Sequence, residues 1–462
     1  MQHRSLLSAV ALISLAACAN GPAALLNEAT GSTSQTLCSK LFVSGLAPDQ
    51  VFDRHLRPEP GMGAIAWAMR YDIDRQARTV RTRLFGGFER QAVFAEGRGC
   101  TITYPGTPAP DALTPGARAD ALLPEIAGPD PVTPTDPALI AALDAAFAEP
   151  ETGAPRFTQA IVVVHHGQII AERYAEGIGP DTPLLSHSMT KSLVNALVGV
   201  LAREGRLSVD TSAPVTSWRA DGDPHAAISI DNLLRMNAGF GFDEGGGASI
   251  ATHIWYNEPD TAAAAAEAEM RSQPGEEWGY CSRCYALLAR VVGDKIGGGP
   301  QGLRDFAQRE LFDPLGMRGV TLEFDASGTM MGGQASFATP RDWARFGLLY
   351  LHDGVIGDRR ILPEGWVAYS TRPTGDSGYG AGFWLNTTDT QISEWRMRWG
   401  LPGAPADAFM ARGYLGQYTV IVPSADLVVV RFGQSHARAA DVASVGGLVA
   451  AVIATLPAPE AR

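Results

Sequence analysis

The sequence predicts an α+β fold, a largely antiparallel sheet flanked by helices. Three observations carry this. Ala160-Ile161-Val162-Val163-Val164, a turn at His166-Gly167 and a return run from Gln168 to Tyr174 read as a buried strand and its hairpin partner. Gln417 to Pro423 and Asp426 to Phe432 form a second apolar hairpin near the C-terminus. Stretches with helical apolar spacing surround both hairpins. Pro137 to Phe147 opens with proline at its first position. Ala196 to Arg203 stops just before Gly205, a good left-handed terminator. Ala262 to Met270, Tyr285 to Ile296 and a closing helix from Val445 to Leu456 complete the set. Helices and hairpins in this order make a layered α+β architecture.

A chain of 462 residues exceeds the usual size of one compact domain, so a large domain with a smaller companion is expected. Hydrophobic residues make up 45% and charged residues 19%, enough for a large core. The net charge of -12, with no Lys/Arg run, sets aside nucleic acid and anionic membrane surfaces as partners. Arg4, the apolar run Leu6 to Leu15 and the small residues after it form a signal peptide over 1–17, too short to span a bilayer stably. Leu15-Ala16-Ala17-Cys18 resembles a bacterial lipobox, which implies cleavage before Cys18 and a lipid anchor on its thiol. The alternative is an ordinary signal peptide with a coincidental cysteine. Either way the chain is expected to be exported, to a bacterial envelope or periplasm.

Residues 18–35, rich in Ala, Gly, Ser and Thr, read as a tether. Short alternating runs such as Thr79 to Phe85 and Cys100 to Tyr104 suggest a small β-rich accessory region over 36–125. Nine prolines between 105 and 137 indicate an extended linker or a belt wrapped over the surface. The larger domain then occupies 126–462. With Cys18 lipidated, four cysteines remain. Cys38 and Cys100 share the N-terminal region and are expected to pair. Cys281 and Cys284 form a CxxC, a short-loop disulfide or two thiols. Two ligands without a nearby histidine do not make a zinc site, and neither metal nor cofactor is expected.

Ser188-Met189-Thr190-Lys191 stands at a loop-to-helix junction. A spacing of three is nearly one helical turn, so Ser188 and Lys191 share a face. A serine hydroxyl needs a base within hydrogen-bond reach to act as a nucleophile. A lysine shielded from water loses the preference for its charge and can be that base. Alone this pattern also describes a helix cap beside an exposed lysine. A second element changes the reading: Pro274-Gly275-Glu276-Glu277-Trp278-Gly279-Tyr280-Cys281-Ser282 sets a phenol and a hydroxyl two apart at the mouth of the next helix. A phenol beside an ammonium ionises more easily and can shuttle protons.

Together these motifs resemble the beta-lactamase-related serine hydrolases, which span class C beta-lactamases, penicillin-binding proteins, esterases and 6-aminohexanoate-dimer hydrolases. The resemblance covers about residues 138 to 456. It is carried by the first hairpin, Ser188 to Lys191, Gly205 to Asp210, Ile228 to Gly239, Pro274 to Ser282, Pro314-Leu315-Gly316-Met317 and the last hairpin. It implies a beta-lactamase/transpeptidase-like fold that adds an all-helical subdomain to the sheet. It also implies cleavage of amide or ester bonds in a small molecule through an acyl-enzyme on Ser188. Lys191 would take the serine proton, Tyr280 would serve the leaving group, and Ser282 would replace the usual Asn and orient Lys191 or the substrate amide. The oxyanion would lie between the backbone N–H of Ser188 and the strand around Gly413 and Tyr414.

One departure matters. The K-T-G expected on that strand is missing from Met410-Ala411-Arg412-Gly413-Tyr414-Leu415-Gly416-Gln417. Arg412 either replaces its cation or points away. The Tyr-x-Ser form and this strand look most like the 6-aminohexanoate-dimer hydrolase branch, with its preference for amides or esters of linear acyl groups. A carboxylesterase, a D-amino-acid peptidase or weak beta-lactamase, and a non-catalytic envelope binding protein on the same fold are the alternatives. His187, next to Ser188, diverges by about 100° on a helix and is a poor candidate base. His165 and His166 fit a solvated turn, and His253, Trp255 and Tyr256 fit a core or loop role. Gly245-Gly246-Gly247 lacks the Lys and Ser/Thr of a phosphate loop. The accessory region is expected to pack on the larger domain, with a lid over the cleft as the alternative.

Overall fold

The computed structural model describes residues 21–244, 249–386, 391–392, 397–398, 400–436 and 438–457. The expected leader, Cys18 and Gly245-Gly246-Gly247 lie outside the described residues.

The N-terminal unit is built on one long helix packed against one sheet. Strands β1 (Met69–Asp74), β2 (Thr79–Leu84), β3 (Glu89–Ala95) and β4 (Gly99–Thr103) pair antiparallel in sequence order. Alternation turns Val80, Thr82 and Leu84 inward, and helix α1 (Pro22–Phe42) packs against that sheet. The disulfide Cys38–Cys100 joins α1 to β4. Leu37, Val51, Leu56, Val80 and Leu84 form a core of their own.

This corrects the tether. Residues 22–35 are helix, and most are buried from Glu28 onward. The small and hydroxyl residues that suggested a flexible segment let the helix approach its neighbours closely. Thr33 Oγ1 is satisfied within the helix, donating to Ala29 O at 2.7 Å, while Ser34 Oγ reaches Arg90 O on β3 at 2.9 Å. Gly31 lies against Tyr256, where a Cβ would meet the tyrosine Cβ at 3.0 Å.

The proline-rich stretch is a belt. No helix or strand forms between Tyr104 and Asp136, yet its backbone is tied to both units. Leu113 N donates to Glu96 O, Leu122 N and Leu123 N donate to Pro314 O, and Ile126 O accepts from Ile169 N. Leu113, Leu123 and Ile126 belong to the core of the larger domain, so the boundary expected at 125 falls inside a continuous structure.

The larger domain is built on a six-stranded antiparallel sheet. Its strands are β5 (Ala160–His165), β6 (Gln168–Tyr174), β7 (Trp384–Leu385), β8 (Phe409–Gly413), β9 (Gln417–Val422) and β10 (Leu427–Phe432), in spatial order β7-β8-β9-β10-β5-β6. Residues Ala160 to Val164 and Leu427 to Val430 are fully buried, which explains their unbroken apolar runs. Helices α2 (Pro137–Phe147), α3 (Thr190–Arg203), α4 (Ser282–Ile296), α5 (Pro340–Leu351) and α6 (Arg438–Thr455) surround it. Helix α5 crosses β5, β9 and β10, while α2 and α6 pack on each other. Gly347 lets α5 rest on the sheet, since a Cβ there would stand 2.5 Å from Val428 Cγ1.

Between Leu185 and Thr321 the described elements are helical apart from one isolated bridge, the expected helical subdomain. The α2 bounds match the expectation, but three other helices start earlier than expected. Helix α4 begins at Ser282, capped by Cys281 Sγ, which accepts from Cys284 N. Helix α3 begins at Thr190 and α6 at Arg438. The helix expected over Ala262 to Met270 spans only Thr261–Ala266, opened by Asp260, whose side chain accepts from Ala263 N.

Candidate active site

Ser188 sits in the turn His187–Met189 that runs into α3. The turn is fixed from several sides. Ser186 N donates to Ser336 O at 2.9 Å, Trp343 Nε1 donates to Ser186 Oγ at 2.9 Å, and Thr190 Oγ1 donates to His187 O at 2.7 Å. His187 takes φ of 48°, a left-handed conformation that an L side chain disfavours. On the other side, the end of β8 comes so close that a Cβ on Gly413 would lie 2.3 Å from Ser186 O.

Lys191, the second residue of α3 and about one turn beyond Ser188, is 1% exposed. Its amine lies 2.9 Å from Ser188 Oγ, 2.9 Å from Ser282 Oγ and 2.6 Å from Gly333 O. Burial lowers its pKa to about 8, against the opposing pull of Glu244 and Asp243. Burial therefore favours the neutral amine.

Hydrogen-bond polarity decides where a neutral amine can aim. It has two N–H donors and one lone pair. Gly333 O can only accept. The Ser282 hydroxyl gives its proton to Glu244, a carboxylate that can only accept, so Ser282 Oγ must accept from Lys191. Both donors are used, and the lone pair is left for Ser188. In this state the amine can take the Ser188 proton. Asp243 anchors the same corner, accepting from Ser282 N, Arg283 N and Arg283 Nε at 3.1 Å each. Its carboxyl is raised, first by burial.

Tyr280 is also buried, with the Lys191 amine 4.9 Å from its ring centroid and Trp384 stacked on it at 5.5 Å. Its hydroxyl hydrogen-bonds the Ser188 side chain. The expectation of an easily ionised phenol is overturned. Burial, and next the Glu244 charge, raise the Tyr280 pKa, and the Ser188 bond and the Arg412 charge do not offset this. Tyr280 therefore stays a neutral phenol, suited to donating a proton.

Cys281 and Cys284 are disulfide-bonded, so the Tyr280–Ser282 segment is tied to the first turn of α4. The Arg412 guanidinium is 3.4 Å from Asp441 on α6 and stacks over Tyr418, 5.0 Å from the ring centroid. Its charge reaches Tyr280, but a carboxylate already faces it. Tyr414 turns its hydroxyl to Glu59 at 2.8 Å. His187 packs on His55 and Tyr414, with burial holding it well below its usual pKa, in keeping with a non-basic role. Tyr256 hydrogen-bonds Ser32 of α1 and Gln334, which adjoins Gly333.

The structure thus brings Ser188, Lys191, Tyr280 and Ser282 together. Sequence reasoning missed Glu244, Gly333 and the N-terminal contacts. The acid pair Asp243-Glu244 before a glycine run, and the pair Gly332-Gly333, were the available signals.

The sequence pattern of the family described as Beta-lactamase matches residues 143–453. A 6-aminohexanoate-dimer hydrolase of Paenarthrobacter ureafaciens is 27% identical over 342 residues, covering 68% of this chain and 83% of its own. Among solved structures, the "Putative 6-aminohexanoate-dimer hydrolase from Bacillus anthracis" superposes with TM-score 0.56 at 20% identity, over 74% of this chain and 91% of that one. A penicillin-binding protein homolog from Caulobacter crescentus gives TM-score 0.54 at 18% identity, over 72% of this chain and all (100%) of its own. The structural likenesses establish a shared fold.

Proposed function

The chain belongs to the beta-lactamase family, and from that premise we propose that it hydrolyses amide or ester bonds through an acyl-enzyme on Ser188. The observation that carries this reading is the buried Lys191 amine, 2.9 Å from Ser188 Oγ, with its pKa lowered to about 8.

Ser188 Oγ attacks the substrate carbonyl carbon while its proton passes to neutral Lys191. The oxyanion is stabilised by the backbone N–H groups of Ser188 and Tyr414. As the tetrahedral intermediate collapses, the bond to the leaving amine or alkoxide breaks. The departing atom takes the Tyr280 proton, which the Lys191 ammonium replaces. Water then adds to the acyl carbon, giving a proton back through the same pair. Expulsion of Ser188 Oγ releases the acid and restores the hydroxyl. Ser282 and Glu244 aim the lone pair of the neutral amine at Ser188 before the attack.

Linear acyl amides and esters are the substrates this reading favours. Kinship with a 6-aminohexanoate-dimer hydrolase supports them. The missing K-T-G and the Arg412–Asp441 pair argue against the carboxylate of a beta-lactam or peptide as the main recognition element. We also propose an extracytoplasmic location with a lipid anchor on Cys18. Two disulfides suit an oxidising compartment.

The test is intact-protein mass spectrometry after exposure to a fluorophosphonate. A single adduct on the wild type, absent from Ser188→Ala, is the expected result. A folded wild type that takes no adduct would overturn the mechanism.

A further inference from the structure

The N-terminal unit reaches the reaction centre from outside the matched family region. After α1 the chain turns back through Pro48–Val51 and Phe52–Leu56 and carries Glu59 to Tyr414, whose hydroxyl donates to Glu59 Oε2 at 2.8 Å. Tyr414 directly follows Gly413, the residue wedged against Ser186. The same segment sets the His55 ring 5.4 Å from His187, the residue before Ser188, and His187 meets Tyr414 edge-on at 5.7 Å. His436 Nε2 bonds Arg54 O at 2.9 Å and pins the segment from the other side. Lys40, buried in α1, faces Glu59, and burial brings its amine down to about 7 against that carboxylate's pull. Both walls of the Ser188 turn are therefore gripped by residues 40–59.

We propose that Glu59 is a positioning residue for acyl transfer: by holding the Tyr414 hydroxyl it fixes the peptide N–H at the end of β8 where the oxyanion forms. The N-terminal unit is then a working part of the active site. This rests on the Ser188 reading above. The physical reason is geometric. Oxyanion donors act through pre-set position, and a small displacement weakens them in the transition state more than in the bound substrate. A unit that only packs alongside would not separate the two.

The experiment uses the full chain and p-nitrophenyl butyrate, a short linear acyl ester. Glu59→Ala and Tyr414→Phe are each expected to lower kcat by about tenfold or more with KM within twofold. The double variant should be no worse than the weaker single one, because both remove one hydrogen bond. Glu59→Gln, which keeps a carbonyl acceptor, should stay within about threefold of wild type. Independent, multiplying losses, a change in KM alone, or an unchanged kcat would each overturn the proposal. If Glu59→Ala fails to fold, Tyr414→Phe and Glu59→Gln carry the test, read against unchanged melting temperatures. Fluorophosphonate labelling of wild-type Ser188 separates the two readings. No labelling strikes the Ser188 mechanism itself, whereas normal wild-type labelling with unaffected variants strikes only the role of Glu59.

Discussion

Helices α1 and α3 are both mostly buried, and each carries a buried lysine with a lowered pKa, about 7 for Lys40 and about 8 for Lys191. Their sequences differ sharply. Helix α3 buries Leu193, Val194, Leu197, Val198 and Leu201, and its helical part reads directly from apolar spacing. Helix α1 buries Thr30, Thr33, Ser34, Gln35, Thr36 and Ser39, the composition of a linker. Burying such groups unpaired costs about 1–3 kcal/mol each. Helix α1 avoids much of this cost through partners far away in sequence. Gln35 Nε2 donates to Cys100 O at 2.8 Å and to Glu323 Oε2 at 3.0 Å, and Ser39 Oγ donates to Glu323 Oε1 at 2.7 Å. Apolar burial is written locally, whereas polar burial is written only in the partner.

The sharpest break between the helices is expected at their lysines. Lys191→Met should lower kcat/KM by roughly a thousandfold, the scale of a lost general base. Lys40→Met should lower it by less than about tenfold and register mainly in thermal unfolding, since a buried charge gives way to an apolar side chain of similar length. Steady-state kinetics with calorimetry on both variants checks this. A larger catalytic loss at Lys40 would reverse the assignment.

The disulfides offer a comparison of the same kind. Cys38–Cys100 spans 62 positions and Cys281–Cys284 spans 3. Replacing the first pair with serine should cost roughly 2–5 kcal/mol, mostly in the N-terminal unit, through a freer unfolded chain. The second closes so short a loop that it should cost less stability but more activity, because it adjoins Tyr280 and Ser282. Denaturant unfolding and turnover on the two double variants would show a common pattern if this reasoning is wrong.

The polarity argument sharpens the picture of α3. On the proposed mechanism, with neutral Lys191 as the base, wild-type activity should rise with pH and level off above about 8. Glu244→Gln should move that inflection to lower pH, since the carboxylate raises the lysine pKa. Glu244→Ala, which also removes the acceptor of the Ser282 proton, should lower kcat/KM by roughly 10–100-fold, because that proton is no longer committed away from Lys191. An inflection that stays or rises would exclude Glu244 from this role.

The smallest expected effect compares one glycine on each helix. In an open helix Gly→Ala gains about 1 kcal/mol. A Cβ on Gly31 would stand 3.0 Å from Tyr256 Cβ and 3.1 Å from its carbonyl oxygen, and one on Gly199 would stand 2.8 Å from Trp366. Both substitutions should therefore destabilise, Gly31→Ala by about 1 kcal/mol and Gly199→Ala by somewhat more. A rise in melting temperature for either would mean that its neighbour yields.

The sheet and the candidate site were legible to different depths. Ala160 to Val164 and Leu427 to Phe432 carry their strand state in unbroken apolar runs, and Ser188 with Lys191 carry theirs in a one-turn spacing. Tyr280 and Ser282 carry a weaker local signal, a phenol and a hydroxyl two apart before a helix, and Ser282's role was legible only through resemblance to a family. Its sequence pattern covers residues 143–453, and residues 22–104 had no such guide.

By itself the sequence determined the α+β layout, the Ser188–Lys191 spacing at the start of α3 and the Cys38–Cys100 pairing, because periodicity, helical pitch and redox chemistry act over short or countable ranges. Only the tertiary structure decided that α1 is a helix, that Tyr280 stays neutral and that Glu59 meets Tyr414. Each of these depends on desolvation and on hydrogen-bond partners separated by tens to hundreds of residues, and no window along the chain contains both ends of such an interaction.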